Sequence, residues 1–190
     1  MSTSVLTQKA PTTERVRSES RQPTSGFGGG GAVGAGGSVS QIVSFRLADE
    51  EYGVDIMRAQ EIIMISQITR VPEVPDFICG LINLRGHVIP IVDLRKRFGL
   101  EAREYDEHTR VIVVNVESKT IGIVVDAVTE VLRIHAEQIE PAPSSITGLD
   151  HEYIRGLVKL EGKLLILLNI EKILSREQQR ELTQLQVNAN

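Results

Sequence analysis

The sequence predicts a mainly β fold, two small barrels side by side with short helices and a helix near the C-terminal end. Three observations carry it. From Gln41 onward, short runs rich in valine and isoleucine alternate with charged or glycine-containing turns, the pattern of strands and hairpins. The chain also repeats itself. "FICGLINLRGHVIPIVDL" from Phe77 aligns without gaps with "YIRGLVKLEGKLLILLNI" from Tyr153, and "YGVDIMRAQEII" from Tyr52 with "IGIVVDAVTEVL" from Ile121. Finally, each half is a handful of short strands without a long helix, and such a set buries its apolar faces best by closing on itself.

The elements follow in order. "QIVSFRL" (Gln41–Leu47) and "YGVDI" (Tyr52–Ile56) form a hairpin around the turn "ADEE". "GLINLRGHVIPIVDL" (Gly80–Leu94) reads as two strands around a turn at Arg85 and Gly86, and "DLRKRFG" (Asp93–Gly99) as a helical turn capped by Asp93. The acidic stretch "EAREYDEH" (Glu101–His108) joins the halves as a solvated connection. Val111–Val116 and Ile121–Val125 make a further hairpin around "ESKT", and Pro141–Glu152 reads as a surface loop. Asn169–Leu185 is predicted helical, with Ile170, Ile173 and Leu174 at helical spacing and fraying beyond Ser175.

The predicted domain is 41–175, with a first half of about 41–99, a second of about 110–174, and a helical extension over 176–190. Each half is near the lower size limit for independent stability, so the two are expected to share an interface, with the groove between them as the concave site. Residues 1–40 are rich in Ser, Thr and Gly and read as a disordered tail, too poor in apolar surface to offset the cost of ordering. Gly26–Gly31 matches G-x-G-x-x-G there, but a dinucleotide fingerprint needs a strand before it and a helix after it, and neither is predicted.

Composition narrows the function. A net charge of −4 argues against nucleic-acid binding by general electrostatics, and an aromatic content of 4% argues against base-stacking platforms. No apolar run approaches the roughly 20 residues of a membrane-spanning helix, so no direct membrane insertion is expected. The single cysteine, Cys79, reads as a small buried apolar residue rather than a nucleophile. His87, His108, His135 and His151 have no metal-ligand spacing. Asp93 and Asp126 are better explained as caps of turns than as paired acid–base catalysts. No catalytic residue, metal site or cofactor is predicted, which leaves a binder.

Arg85 is the residue that points outward. Its counterpart in the second half is Glu161, while the turn glycines Gly86 and Gly162 are kept. The turn therefore does not require an arginine, and a surface role follows. An exposed pair with Glu61 would contribute only about 0–1 kcal/mol to stability, whereas an arginine desolvated in an interface is worth roughly 2 kcal/mol or more.

The segments "EEYGVDI…QEI", "VPEVPDFICGLINLRGHVIPIVDLRKRFG", "IGIVVDAVTEVL", "AEQIEPAP" and "GLVKLEGKLLILLNIEKIL" resemble the CheW family of chemotaxis coupling proteins over nearly all of 41–175. The resemblance implies two SH3-like five-stranded β-barrel subdomains. It implies a non-enzymatic adaptor between the cytoplasmic tips of methyl-accepting chemotaxis receptors and the regulatory domain of the histidine kinase CheA. That adaptor would be cytoplasmic, recruited to membrane-associated receptor arrays, and joined there in rings with other CheW-like domains. By the same resemblance Arg85, Glu61, Gly122 and Val131 match positions for receptor binding or coupling, and Ala59 and Gly80 positions for kinase binding. Read without it, Gly80 and Gly122 serve strand geometry and Val131 serves the core. An adaptor of a different chemosensory pathway, for surface motility or second-messenger control, shares the same signature.

Overall fold

The computed structural model describes residues 38–117, 119–143, 150–180 and 182. Eleven strands, two named short α-helices and a further helical stretch over 176–180 follow one another along them. The named elements are β1 (Val39–Leu47), β2 (Glu50–Asp55), β3 (Ala59–Met64), β4 (Ile78–Leu84), β5 (His87–Asp93), α1 (Leu94–Arg97), β6 (Arg110–Val116), β7 (Lys119–Val125), β8 (Ala127–His135), β9 (Ile139–Glu140), α2 (Asp150–Tyr153), β10 (Ile154–Leu160) and β11 (Lys163–Leu168). Single 3-10 turns stand at Ile56–Arg58, Ala136–Gln138 and Ile170–Lys172. All but the last few residues of the predicted tail, and the Gly26–Gly31 stretch within it, lie outside the described residues. Strand β1 opens at Val39, inside the span assigned to that tail.

The strands form two sheets, and their membership corrects the expectation that each half closes on itself. One sheet has the order β8-β1-β2-β11-β10-β9, the other β3-β6-β7-β5-β4. The leading hairpin of each half is thus built into the sheet of the other. Connection length explains why. Strand β7 ends at Val125, opposite Arg110, and β8 begins at Ala127. To lie against β6 as β3 does, where Ala59 faces Val114, β8 would have to begin roughly 16 Å away, along the hairpin and two strands over. Three residues reach about 11 Å at most. The chain can only pass to the other sheet.

The two sheets are equivalent in register. Gly53 of β2 faces Leu167 of the parallel strand β11, and Gly122 of β7 faces Ile91 of the parallel strand β5. Both pairs are the equivalents given by the two ungapped sequence alignments. A β-carbon on Gly53 would lie 2.5 Å from Ile42 Cγ2, and one on Gly122 2.7 Å from Val111 Cγ1, again equivalent partners. Beyond β3, Thr69 bridges Leu81 of β4, as β9 pairs with β10 in the other sheet. The two-residue β9 gives that sheet a sixth strand, one more than the five expected.

Each sheet wraps an apolar cluster, Ile82, Ile89, Ile91, Val111, Val113 and Val124 in one, Ile42, Ile134, Val158, Leu165 and Leu167 in the other. A third cluster, which includes Phe45, Leu47, Leu94, Ile112, Val114 and Ile173, is fed by both. Strand β6 shows why its run of valines and isoleucines is unbroken. Val111 and Val113 point into one core while Ile112, Val114 and Val116 point into the shared one, so both faces are buried.

Two local expectations are corrected. The predicted helix from Asn169 begins as a 3-10 turn and restarts after Ser175. Ser175 Oγ accepts from the Gln178 N–H at 3.2 Å while the Ser175 N–H donates to Gln178 Oε1 at 2.9 Å, a reciprocal cap that opens a new helical stretch over 176–180. The end of the predicted loop Pro141–Glu152 belongs to α2, and 144–149 within it lie outside the described residues.

Candidate partner-binding site

Arg85 stands at the tip of the β4–β5 hairpin. Its backbone is left-handed, at φ 54°, and Gly86 follows at φ 88°. Positive φ at both central residues makes the tight turn that matches strand twist, and Asn-Gly is the pair this geometry favours. An arginine there is held against local preference, with Asn83 Oδ1 accepting from the Gly86 N–H at 2.8 Å to hold the turn. The equivalent turn has positive φ at Gly162 and not at Glu161, so the two turns share their glycine but not their backbone.

From this tip the Arg85 side chain reaches back to the edge strand β3. Arg85 Nη2 donates to Glu61 Oε2 at 2.8 Å, with the arginine side chain 79% exposed and the glutamate 26%. The expected pair is therefore present and wet. The second sheet has its own version. Glu130, the equivalent of Glu61, faces Lys163 Nζ at 3.6 Å, and Lys163 also lies 3.8 Å from Glu51. The cation is supplied one residue past the turn glycine rather than one before it, which accounts for the exchange of Arg85 for Glu161.

Strand β3 alternates, with Glu61 half-buried on one face and Ile62 and Met64 exposed on the other. Met57, Ile62 and Met64 are exposed on β3 and the 3-10 turn before it. Sequence reading missed this strip, although "AQEIIM" alternates in a way that must place some apolar side chains outward. Ala59 begins β3 and is half-buried against the shared core. Val131 lies exposed on β8, the edge strand of the other sheet, which corrects its alternative reading as core.

Gly80 and Gly122 are buried and present nothing to a partner. Gly80 sits in a bulge of β4 at φ 137°, where a β-carbon would lie 2.2 Å from the Thr69 carbonyl oxygen. Gly122 is packed under Ile91 and Val111. The close approach of neighbouring groups explains both glycines, and substitution would act on a partner only through the strands.

The candidate chemical groups are tied into structure. Asp93 Oδ1 accepts from the Arg95 and Lys96 N–H groups at 2.9 and 3.3 Å, the cap that its position predicts. Cys79 Sγ lies 3.1 Å from the Tyr105 hydroxyl, which in turn donates to Asp93 Oδ2 at 3.1 Å. Burial pushes the Cys79 thiol up, the reverse of what a nucleophile needs. Asp126 does not cap a turn of its own. It takes a two-pronged bond from Arg95, Nε to Oδ1 at 2.7 Å and Nη2 to Oδ2 at 2.6 Å, and a bond from the Ala48 N–H at 2.8 Å. Burial raises its pKa, but the bonds from Arg95 and Ala48 outweigh that and hold the carboxyl below the usual carboxylate range. Among the described residues no group of three or more His, Cys, Asp or Glu side chains could hold a metal ion.

The concave surfaces are not a single groove between barrels. A cavity of about 240 Å³ is walled by Tyr52, Phe98, Leu100, Tyr153, Ile166 and Leu168. A larger groove of about 990 Å³ runs between the β3–β4 connection and residues 102–105 of the acidic link. No helix among the described residues is long and apolar enough to cross a membrane.

Comparison with known proteins agrees with this geometry. The family model described as the CheW-like domain matches residues 41–178. A chemotaxis protein CheW of Klebsiella aerogenes is 49% identical over 145 residues, which cover 76% of this chain and 87% of that one. The CheW of Treponema pallidum is 34% identical over 76% of this chain and 88% of its own. The crystal structure of the scaffolding protein TtCheW from Thermoanaerobacter tengcongensis superposes with a TM-score of 0.68 at 40% identity, over 72% of this chain and 92% of that one. Family model, sequence relatives and solved structure agree, and the chain belongs to the CheW-like proteins.

Proposed function

We propose that this protein is a non-enzymatic chemotaxis adaptor that couples the cytoplasmic tips of methyl-accepting receptors to the regulatory domain of the histidine kinase CheA. It acts in the cytoplasm at membrane-associated arrays, where end-to-end contacts with other CheW-like domains complete a ring. The observation that carries this reading is the β3 edge. An arginine in a strained backbone conformation reaches an acidic residue of this strand, and the strand's other face leaves an apolar strip exposed. Neither the pair nor the strip serves the core. Strained residues that the fold does not need, and apolar side chains left in water, are features of recognition surfaces.

The roles divide along that edge. Arg85 and Glu61 form the receptor-coupling group. Ala59, with Met57, Ile62 and Met64 beside it, forms the kinase-facing strip. Val131 provides a receptor contact on the equivalent edge of the other sheet, while Gly80 and Gly122 keep the strands in register behind these surfaces. Titration of the labelled chain with a receptor-tip fragment and, separately, with the CheA regulatory domain tests the division. Arg85→Glu should weaken the receptor titration about thirtyfold, the worth of a 2 kcal/mol contact, and spare the kinase one. Met57→Glu should do the reverse. Unchanged affinity of both variants for both partners would reject the assignment.

A further inference from the structure

Among the described residues the chain crosses between its sheets twice, and an ion pair stands at each crossing, with a second, Arg155 to Asp55 at 3.5 Å, where β2 ends. After β7 it passes to β8 through Asp126, which Arg95 of α1 grips. After β2 it passes to β3 through Ile56–Arg58, and Arg58 pairs with Glu171 of the 3-10 turn after β11. Arg95 and Glu171 occupy equivalent positions, each two residues beyond the end of a parallel-paired strand's last capping residue, Asp93 or Asn169. The two pairs thus share one equivalent position with reversed charge, while their crossing members, Asp126 and Arg58, stand one residue apart in the alignment.

Their surroundings are not equivalent. Arg95 and Asp126 side chains are 14% and 9% exposed, against 44% and 41% for Arg58 and Glu171. The dry pair also gathers more of the chain. Asp126 is bonded to the β1–β2 hairpin twice, through its N–H to the Arg46 carbonyl at 3.1 Å and through Oδ2 from the Ala48 N–H. Arg95 belongs to the other sheet, being carried on α1 directly after β5, and its Nη1 donates to the Glu101 carbonyl at 2.7 Å. One guanidinium thus joins the β3–β7 sheet, the β1–β2 hairpin of the other sheet and the start of the link between halves.

We propose that Arg95 and Asp126 are positioning residues that fix the angle between the two sheets, and so the relative placement of the edge strands β3 and β8. The forked, buried bond resists rotation about the crossing, because turning one sheet would expose and unpair both charges at once. The wet pair at the other crossing exchanges its bonds with water at little cost and leaves the angle to its counterpart.

The test measures distance rather than activity, so it stands whether or not the adaptor assignment does. Spin labels are placed at His87 of β5 and Arg133 of β8 in the full chain with Cys79→Ala, and the distance distribution is read by double electron–electron resonance. The parent should give one narrow maximum. Asp126→Asn should broaden or shift it while hydrogen exchange shows β6 and β7, and β1 and β2, still protected. Arg95→Lys, which keeps the charge but loses the fork, should broaden it less. Glu171→Gln should leave it unchanged. If Asp126→Asn does not fold, Arg95→Lys decides alone. A folded Arg95→Lys or Asp126→Asn chain with the parent distribution overturns the proposal, as does an equal change in Glu171→Gln.

Discussion

Arg85 costs the fold something and supplies little in return. Its left-handed backbone conformation is one that a non-glycine residue adopts at a penalty, and its ion pair with Glu61 is too exposed to recover much. Arg85→Asn suits the turn better, so it should raise stability by up to about 1 kcal/mol in urea unfolding while losing receptor coupling. Gly80 is the opposite case. A β-carbon there meets the Thr69 carbonyl at 2.2 Å, so Gly80→Ala should cost about 2 kcal/mol or more and weaken partners only by loosening the strand. The sequence alone marked Arg85 as unnecessary to its turn, through Glu161. It did not disclose that Lys163 replaces it in the second sheet, because that pairing depends on which side of a turn glycine a long side chain emerges.

At the level of elements, β3 combines legible and hidden features. The sequence predicts no strand at β3 or β8, but their equivalence follows from the alignment of "RAQEII" with "AVTEVL". The exposed strip of Met57, Ile62 and Met64 does not, because alternation says which residues share a face but not whether that face is covered. The helical turn α1 and its Asp93 cap were legible from "DLRKRFG", whereas the partner of Arg95 lay in a different motif. The Arg95–Asp126 bond ties "PIVDLR" to "GIVVD". Its acid sensitivity has a definite sign. Asp126 has a folded pKa below its ordinary 3.8, so its contribution is complete above that value and is lost as pH falls through the lower, folded one. In urea titrations at successive pH values, Asp126→Asn should therefore lose about 3 kcal/mol near neutrality and less of the remaining stability on acidification below about pH 4 than the parent does.

The whole molecule is two interlocked halves. Each sheet closes only when the other half supplies its hairpin, so the repeat legible in the sequence is not a pair of independent units. The notion of self-closing halves failed on connection length, since a single residue separates β7 from β8. Cutting the acidic link between Glu101 and His108 with an inserted protease site should leave the fragments bound to each other through size-exclusion chromatography. Either fragment expressed alone should lack cooperative unfolding. Separation of the fragments without denaturant would contradict the exchanged-hairpin account.

The central claim is that this fold serves as a coupling adaptor whose Arg85 faces a partner. Kinase autophosphorylation, measured in a mixture of receptor fragment, CheA and this protein, tests it most directly, with the wild type beside the folded Arg85→Asn variant. The account predicts that the wild type activates the kinase in a receptor-dependent way and that the variant, though at least as stable, does not. A wild type that leaves the kinase unchanged with its cognate receptor, or a variant that activates it equally, would contradict the account.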